Sequence, residues 1–406
     1  MTEIFINGRF LTQPMTGVER YAYNMCKAMA AQHLSFTIIC PHAPIQDCYD
    51  ISQLRIVYYG RGNSHFWEQC VLPFFLIGKK NYVVLSFTGL ASILVRNKIM
   101  TIHDLSFLEN PRWFSRPYYW WYKVMTPLAV RTSKHIITVS EFSKREILRF
   151  YPFLKEQDIT VVYNATDETL FRPLQLSTLN SQLSTQKERF ALAVSSLDPR
   201  KNFARLIEAF QDIPDCKLYI VGARHRVFGE SQENQGDNIR YLGRVSDEEL
   251  VRLYNQAVCF IFPSLYEGFG LPPIEAMSCG CPVLVSDIPV LHEVCGDAAT
   301  YFDPYNPYAI RKAIQQFLTT HGDRSHESSE QPTRPVPMSR PMIEVAQGKD
   351  GAITVEGYDP LQWQKTVLQV IKERPKVKQE QLADYDWNLI IRQLQDYYMP
   401  MMSNQQ

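Results

Sequence analysis

Short apolar runs alternate with amphipathic stretches along this chain. The runs at 36–40 (FTIIC), 82–87 (YVVLSF), 98–104 (KIMTIHD), 135–140 (HIITVS) and 158–164 (DITVVYN) have the length and β-branched content of buried strands. The opening MTEIFING reads as a first strand ahead of them. Helical periodicity lies between, over 20–30 and 118–130. Such alternation predicts a parallel sheet with helices on both faces. The polar stretch 171–189 sustains no strand pattern and reads as a linker. A second series follows at 190–196 (FALAVSS), 217–222 (KLYIVG), 239–243 (IRYLG), 259–263 (CFIFP) and 281–286 (CPVLVS). The pattern therefore predicts two doubly wound α/β domains in tandem, 1–172 and 187–381. Ligands of open α/β sheets sit beyond the C-terminal strand ends, so the cleft between the domains is the expected site. The segment 322–357, rich in Ser, Pro and charge, reads as a flexible insertion, and 382–400 as an amphipathic helix.

The most informative stretch is PSLYEGFGLPPIEAMSCGCPV, 263–283, after the apolar run Val258–Phe262. Its order is strand, glycine loop, two prolines, then a helical pattern starting near Ile274. Pro is tolerated in a helix's first turn, where its missing N–H costs nothing. Free backbone N–H groups and the positive end of the helix dipole then converge where an anion such as a diphosphate would sit. Glu267 lies in the loop and Glu275 in the first turn, with seven residues between them. A carboxylate repels a phosphate but accepts hydrogen bonds from sugar hydroxyls. An ordinary first-turn acid is the other reading of Glu275.

Glu267, the loop Gly268-Phe269-Gly270-Leu271 and Glu275 resemble the paired-glutamate signature of the retaining GT-B glycosyltransferases of family 4. The resemblance extends to TGVERYAYNM (16–25), TIHDLSF (101–107), IITVSEFSKREI (136–147), VSSLDPRKNFARLIEAF (194–210) and IRYLGRVSDEEL (239–250). It implies two Rossmann-like domains facing an interdomain cleft, and transfer of a sugar from a nucleotide-sugar donor to a hydroxyl with retention. By this resemblance Glu267 holds the donor sugar, Glu275 the donor ribose, and Lys201 with Arg200 the diphosphate. His103 contacts the donor sugar and stabilises the transition state, Val245 lies at the nucleobase, and Gly17 gives the substrate access to the backbone. Glu293 and Gly296 are family-like and read as supporting residues. Two departures stand out. Relatives often carry paired glycines where this chain has Thr16-Gly17, and an arginine five positions before the lysine, where it has Ser196. Arg200 is the candidate to supply that charge. The resemblance also implies that the helix 382–400 crosses back onto the first domain.

The donor is expected to be a GDP- or UDP-sugar and the acceptor a saccharide or lipid-linked saccharide, in cell-surface polysaccharide or lipopolysaccharide synthesis. A same-fold nucleotide-sugar 2-epimerase and a catalytically silent assembly partner are the alternatives. No cofactor is expected and no metal, since two cations and a helix dipole serve the phosphates. Zero net charge gives no bulk attraction to nucleic acid. Nine scattered cysteines and an early acid in place of a signal peptide predict a reduced, cytoplasmic protein. No apolar run reaches the roughly 18 residues of a membrane span. Seven aromatic residues interleaved with cations over 110–131 fit either a peripheral contact with the inner membrane face or a helix packed into the core.

Overall fold

The computed structural model describes residues 3–31, 33–167, 169–174, 189–196, 198–222 and 238–321. The expected insertion 322–357, the crossover helix 382–400 and most of the linker 171–189 lie outside the described residues.

The first domain is a seven-stranded parallel sheet in the order β3-β2-β1-β4-β5-β6-β7. Its strands are β1 (Glu3–Asn7), β2 (Thr37–Cys40), β3 (Ile56–Tyr58), β4 (Tyr82–Ser86), β5 (Lys98–Ile102), β6 (His135–Thr138) and β7 (Ile159–Val161). The second is a six-stranded parallel sheet in the order β10-β9-β8-β11-β12-β13. It comprises β8 (Phe190–Val194), β9 (Lys217–Val221), β10 (Ile239–Gly243), β11 (Cys259–Phe262), β12 (Val283–Ser286) and β13 (Ala299–Phe302). The strand order reverses between β1 and β4, where Ile6 pairs with Leu85, and between β8 and β11, where Phe260 pairs with Leu192. Crevices at such reversals, beyond the strand C-termini, are where doubly wound sheets take ligands.

The central strands are apolar throughout because helices cover both faces. Phe260 and Phe262 face one core layer while Cys259 and Ile261 face another. The two sequence series therefore mark real domains. Strands β3 and β13, each at a sheet edge, escaped the apolar pattern; Ile56 and Val57 are only half-buried, and Thr300 is exposed.

Two expectations about helices need correction. The helix expected from Ile274 starts at Leu271, with Pro272 and Pro273 inside its first turn. The proline ring sets φ near the helical value, so the residues extend the helix rather than precede it. The aromatic stretch 110–131 is a short 3-10 turn, Pro111–Trp113, and then the helix Arg116–Arg131 capped by Ser115. It does not present a row of outward rings. Met125, Ala129 and Val130 are core, and Phe114, Tyr119, Trp121 and Tyr122 pack against that core. Trp120 is 49% exposed and lies against the Lys123 ammonium.

Candidate active site

The site begins with a turn. After β8 the chain forms a 3-10 turn, Pro199–Lys201, capped by Asp198, whose carboxylate accepts the Arg200 N–H. Asn202 ends the turn in the left-handed region at φ 59°, a conformation Asn tolerates better than most residues. Its buried amide donates to the carbonyls of Pro263 (3.0 Å) and Pro304 (2.7 Å). The turn is thereby tied to the loop that carries Glu267.

That tie brings opposite charges together. Lys201 Nζ donates to Glu267 Oε1 at 2.6 Å, and Arg200 stands 3.6 Å from Glu267 Oε2. Arg200 also reaches across the cleft to Asp104 at 3.3 Å, just past the C-terminal end of β5. Burial opposes the Arg200 charge, but Glu267, Asp104 and Asp198 outweigh it and hold the guanidinium ionised. Burial pushes Asp104 upward in turn, yet Arg200 and two hydrogen bonds from Ser106 keep it below the usual carboxylate range. The Tyr118 phenol stands near this cluster. Burial first, then Tyr122 and Asp104, hold it protonated.

His103 sits beside Asp104 with its Nε2 2.7 Å from the Phe87 carbonyl. A carbonyl only accepts, so Nε2 carries the proton and Nδ1 is left as an acceptor. Burial lowers its pKa, and the ring packs edge-on to Tyr21. His103 is thus a neutral imidazole, which stabilises a developing charge as a dipole and not as a cation.

The glycine loop has two jobs. A side chain on Gly268 would place Cβ 2.0 Å from the His103 carbonyl oxygen, so the loop backbone lies directly on the first domain. The Gly268 carbonyl accepts from Ser140 Oγ (2.6 Å) and Ser143 Oγ (3.1 Å). This glycine was expected to face the phosphate, but it forms the seam between domains. Gly270, at φ 107°, is the N-cap of the helix Leu271–Ser278. Of the four orphan N–H groups at such a terminus, the prolines remove two and leave those of Gly270 and Leu271. Phe269 is buried beside Tyr163.

Glu275 occupies the other end of the cleft. It accepts from the Tyr254 hydroxyl at 3.0 Å, and burial raises it to about 7. Arg20 opposes that rise and Asp247 adds to it. These two form a bidentate pair at 2.7 and 2.8 Å, one from each domain. Val245 packs on the core just before Ser246, the cap of the helix that starts with Asp247. Gly17 opens the helix Gly17–Ala31, with empty space where a side chain would stand. Glu293 accepts the N–H groups of Glu141 (2.6 Å) and Phe142 (2.8 Å), so one domain caps a helix of the other.

The structure therefore gathers Lys201, Arg200, Glu267 and His103 at the centre and Glu275 with its partners to one side. Sequence reasoning missed Asn202, Tyr118, Tyr254, Arg20 and the Ser140–Ser143 seam. Only Asn202 carried a signal, as an Asn after a Pro-containing turn.

Comparison with known proteins agrees with this geometry. A family model described as Glycosyltransferase Family 4 matches residues 15–170, and one described as Glycosyl transferases group 1 matches residues 177–332. The O-antigen chain mannosyltransferase B of Escherichia coli is 32% identical over 231 residues, covering 54% of this chain and 61% of that protein. The O-antigen chain mannosyltransferase RfbU of Salmonella typhimurium is 32% identical over 228 residues, 55% of this chain and 61% of that protein. The chain thus spans about three fifths of the length of these relatives. Among solved structures, a sucrose-phosphate synthase from Thermosynechococcus elongatus superposes with a TM-score of 0.62 at 18% identity over the full length of both chains. HepE of Anabaena, in complex with UDP-glucose, gives 0.60 at 18% identity over 79% of this chain and 90% of that one. These share the two-domain GT-B fold. With one family model matched on each side of the cleft, the first domain is of the Glycosyltransferase Family 4 type and the second of the Glycosyl transferases group 1 type.

Proposed function

We propose that this protein transfers a hexose from a nucleotide-sugar to a hydroxyl of a saccharide or lipid-linked saccharide, with retention at the anomeric carbon. The observation that carries the reading is the cluster of Lys201, Arg200 and Glu267, with Lys201 2.6 Å from Glu267, closed across the cleft by Asp104. As the bond from the anomeric carbon to the diphosphate lengthens, negative charge grows on the leaving group and oxocarbenium character on the sugar. Arg200, Lys201 and the N–H groups of Gly270 and Leu271 meet the first charge. Fixed donors of this kind do not reorganise during the reaction. Glu267 then holds a sugar hydroxyl once Lys201 turns to phosphate, with His103 Nδ1 accepting another. Glu275 accepts the ribose hydroxyls, Val245 lies near the base, and Gly17 leaves room for the donor.

Mannose is the sugar favoured by the two O-antigen mannosyltransferases, and either GDP or UDP is the carrier to be tested. Two half-buried cations beside the loop support chemistry that needs no metal. Among the described residues no helix is long and apolar enough to cross a membrane. A peripheral contact with the inner membrane face completes the reading, supported by exposed Trp120 beside Lys123. The test is a panel of GDP- and UDP-sugars, scored for binding, hydrolysis and transfer with and without EDTA. A saturable donor with hydrolysis or transfer that survives EDTA is expected. No binding of any nucleotide sugar overturns the reading, and release of an epimerised sugar nucleotide without acceptor replaces it with the epimerase.

A further inference from the structure

A second cavity, of about 430 Å³, opens at the domain seam and contains none of the residues assigned above. Its walls are aromatic. Trp113 comes from the first domain, and Tyr266 and Tyr305 from the second. Its rim is polar, with Glu109 and Asn110 on one side and Arg205 on the other. The rings of Trp113 and Tyr266 lie 6.4 Å apart and tilted by 50°. Tyr305 is 62% exposed, with the Arg205 guanidinium 6.0 Å from its ring centre.

Each feature suits a sugar. A pyranose ring has an apolar face of C–H groups and a rim of hydroxyls that both donate and accept. Aromatic rings bury the face and supply most of the contact area. A carboxylate, an amide and a guanidinium serve the rim. A pocket of this size, with a mixed aromatic and polar lining, falls within the ordinary range of small-molecule sites. The cavity also adjoins the central cluster through its second-domain wall. Tyr266 directly precedes Glu267, and Pro199, which contributes to the lining, directly precedes Arg200. Glu275 and its partners Tyr254 and Arg20 belong to a different set of elements. A nucleotide held by Glu275 and a ligand in the aromatic cavity would therefore flank the central cluster without sharing a binding residue.

We infer that this cavity holds sugar residues of the acceptor chain beyond the one that is attacked, making the enzyme sensitive to acceptor length. The inference rests on the glycosyltransferase reading of the central cluster. Trp113, Tyr266, Tyr305 and Arg205 bind the acceptor and take no part in the chemical step.

The test uses the full chain and mono- and trisaccharides of mannose, glucose and galactose as probes, with binding followed by calorimetry and tryptophan fluorescence. GDP- and UDP-sugar binding and hydrolysis are measured in parallel. At least one trisaccharide should bind more tightly than its monosaccharide. Tyr305→Ala and Trp113→Ala should each weaken that trisaccharide by about tenfold, the worth of one aromatic stack. Monosaccharide and nucleotide-sugar affinity should stay as in the parent. Tyr305 is exposed, so its variant keeps the fold and secures the test if Trp113→Ala does not. Trisaccharide binding indifferent to Tyr305→Ala overturns the inference, as does a wild-type chain that binds no trisaccharide. If nucleotide sugar still binds and is hydrolysed in either case, only the cavity assignment falls. Failure of all nucleotide-sugar binding would remove the reading beneath it.

Discussion

At the scale of single residues, the site turns on two carboxylates with opposite surroundings. Glu267 lies between Lys201 and Arg200, whereas Glu275 has a phenol and a buried pocket. Lys201→Ala should remove a charge-assisted contact to the leaving diphosphate and cost about 2–4 kcal/mol of transition-state stabilisation, read as kcat/KM. Nucleoside diphosphate affinity should fall with it, and unchanged values for both would remove Lys201 from the site. Glu275 makes a pH prediction. Its folded pKa of about 7 lies above the ordinary 4.5, chiefly through burial. The folded protein holds this proton more tightly than the unfolded chain. Its contribution to stability is therefore full in acid and is lost as pH rises through that interval. A ribose that donates hydrogen bonds selects the ionised form, so nucleotide affinity should rise towards pH 7 and then level off. Below the midpoint it should fall by about tenfold per unit. Calorimetry in buffers of differing ionisation enthalpy should show proton release on binding at mildly acid pH. Glu275→Gln should abolish both the release and the slope.

At the scale of elements, the turn Pro199–Lys201, the loop 263–270 and the end of β5 act as one piece. Asn202 ties the first two, and Gly268 presses on the third through bare backbone. Gly268→Ala must push the loop away from the His103 carbonyl. Overpacking of this kind costs about 1–3 kcal/mol, which thermal unfolding would register. Turnover should drop as well, because the displaced loop carries Glu267. A variant of native stability and full activity would show that the seam yields freely. Glu293 adds a cross-domain cap to the helix Glu141–Phe150, at the same end where Ser140 and Ser143 hold the Gly268 carbonyl.

At the scale of the whole molecule, the domains meet through charge as well as packing. Arg20 and Asp247 clamp the cleft beside Glu275 and act on it with opposite sign. Arg20→Ala removes the charge that favours ionisation of Glu275, so the pH midpoint of nucleotide binding should move up. Asp247→Asn removes the opposing charge and should move it down. Midpoints that shift together, or not at all, would separate the clamp from the nucleotide end of the cleft. The aromatic stretch 110–131 belongs to this scale too, since the helix Arg116–Arg131 packs into the core while its N-terminal end reaches the cleft.

Sequence alone determined the architecture and named the candidates for the central chemistry. Two series of apolar strands of buried length admit little besides two parallel sheets. The order of strand, glycine loop and proline-started helix determines where Glu267 and Glu275 stand along the chain. These are local properties, set by hydrophobic periodicity and by the few conformations open to Gly and Pro. Tertiary structure decided the pairings. That Lys201 meets Glu267, that Arg200 finds Asp104 across the cleft, and that Arg20 clasps Asp247 are long-range choices carrying no local pattern. The same holds for His103, whose neutrality comes from burial while the Phe87 carbonyl fixes its tautomer, and for Gly268, whose need to be glycine comes from another domain's backbone. Edge strands β3 and β13 stayed hidden for a related reason. Their residues are held by ladder hydrogen bonds to a sheet already formed, which requires little apolar burial of their own.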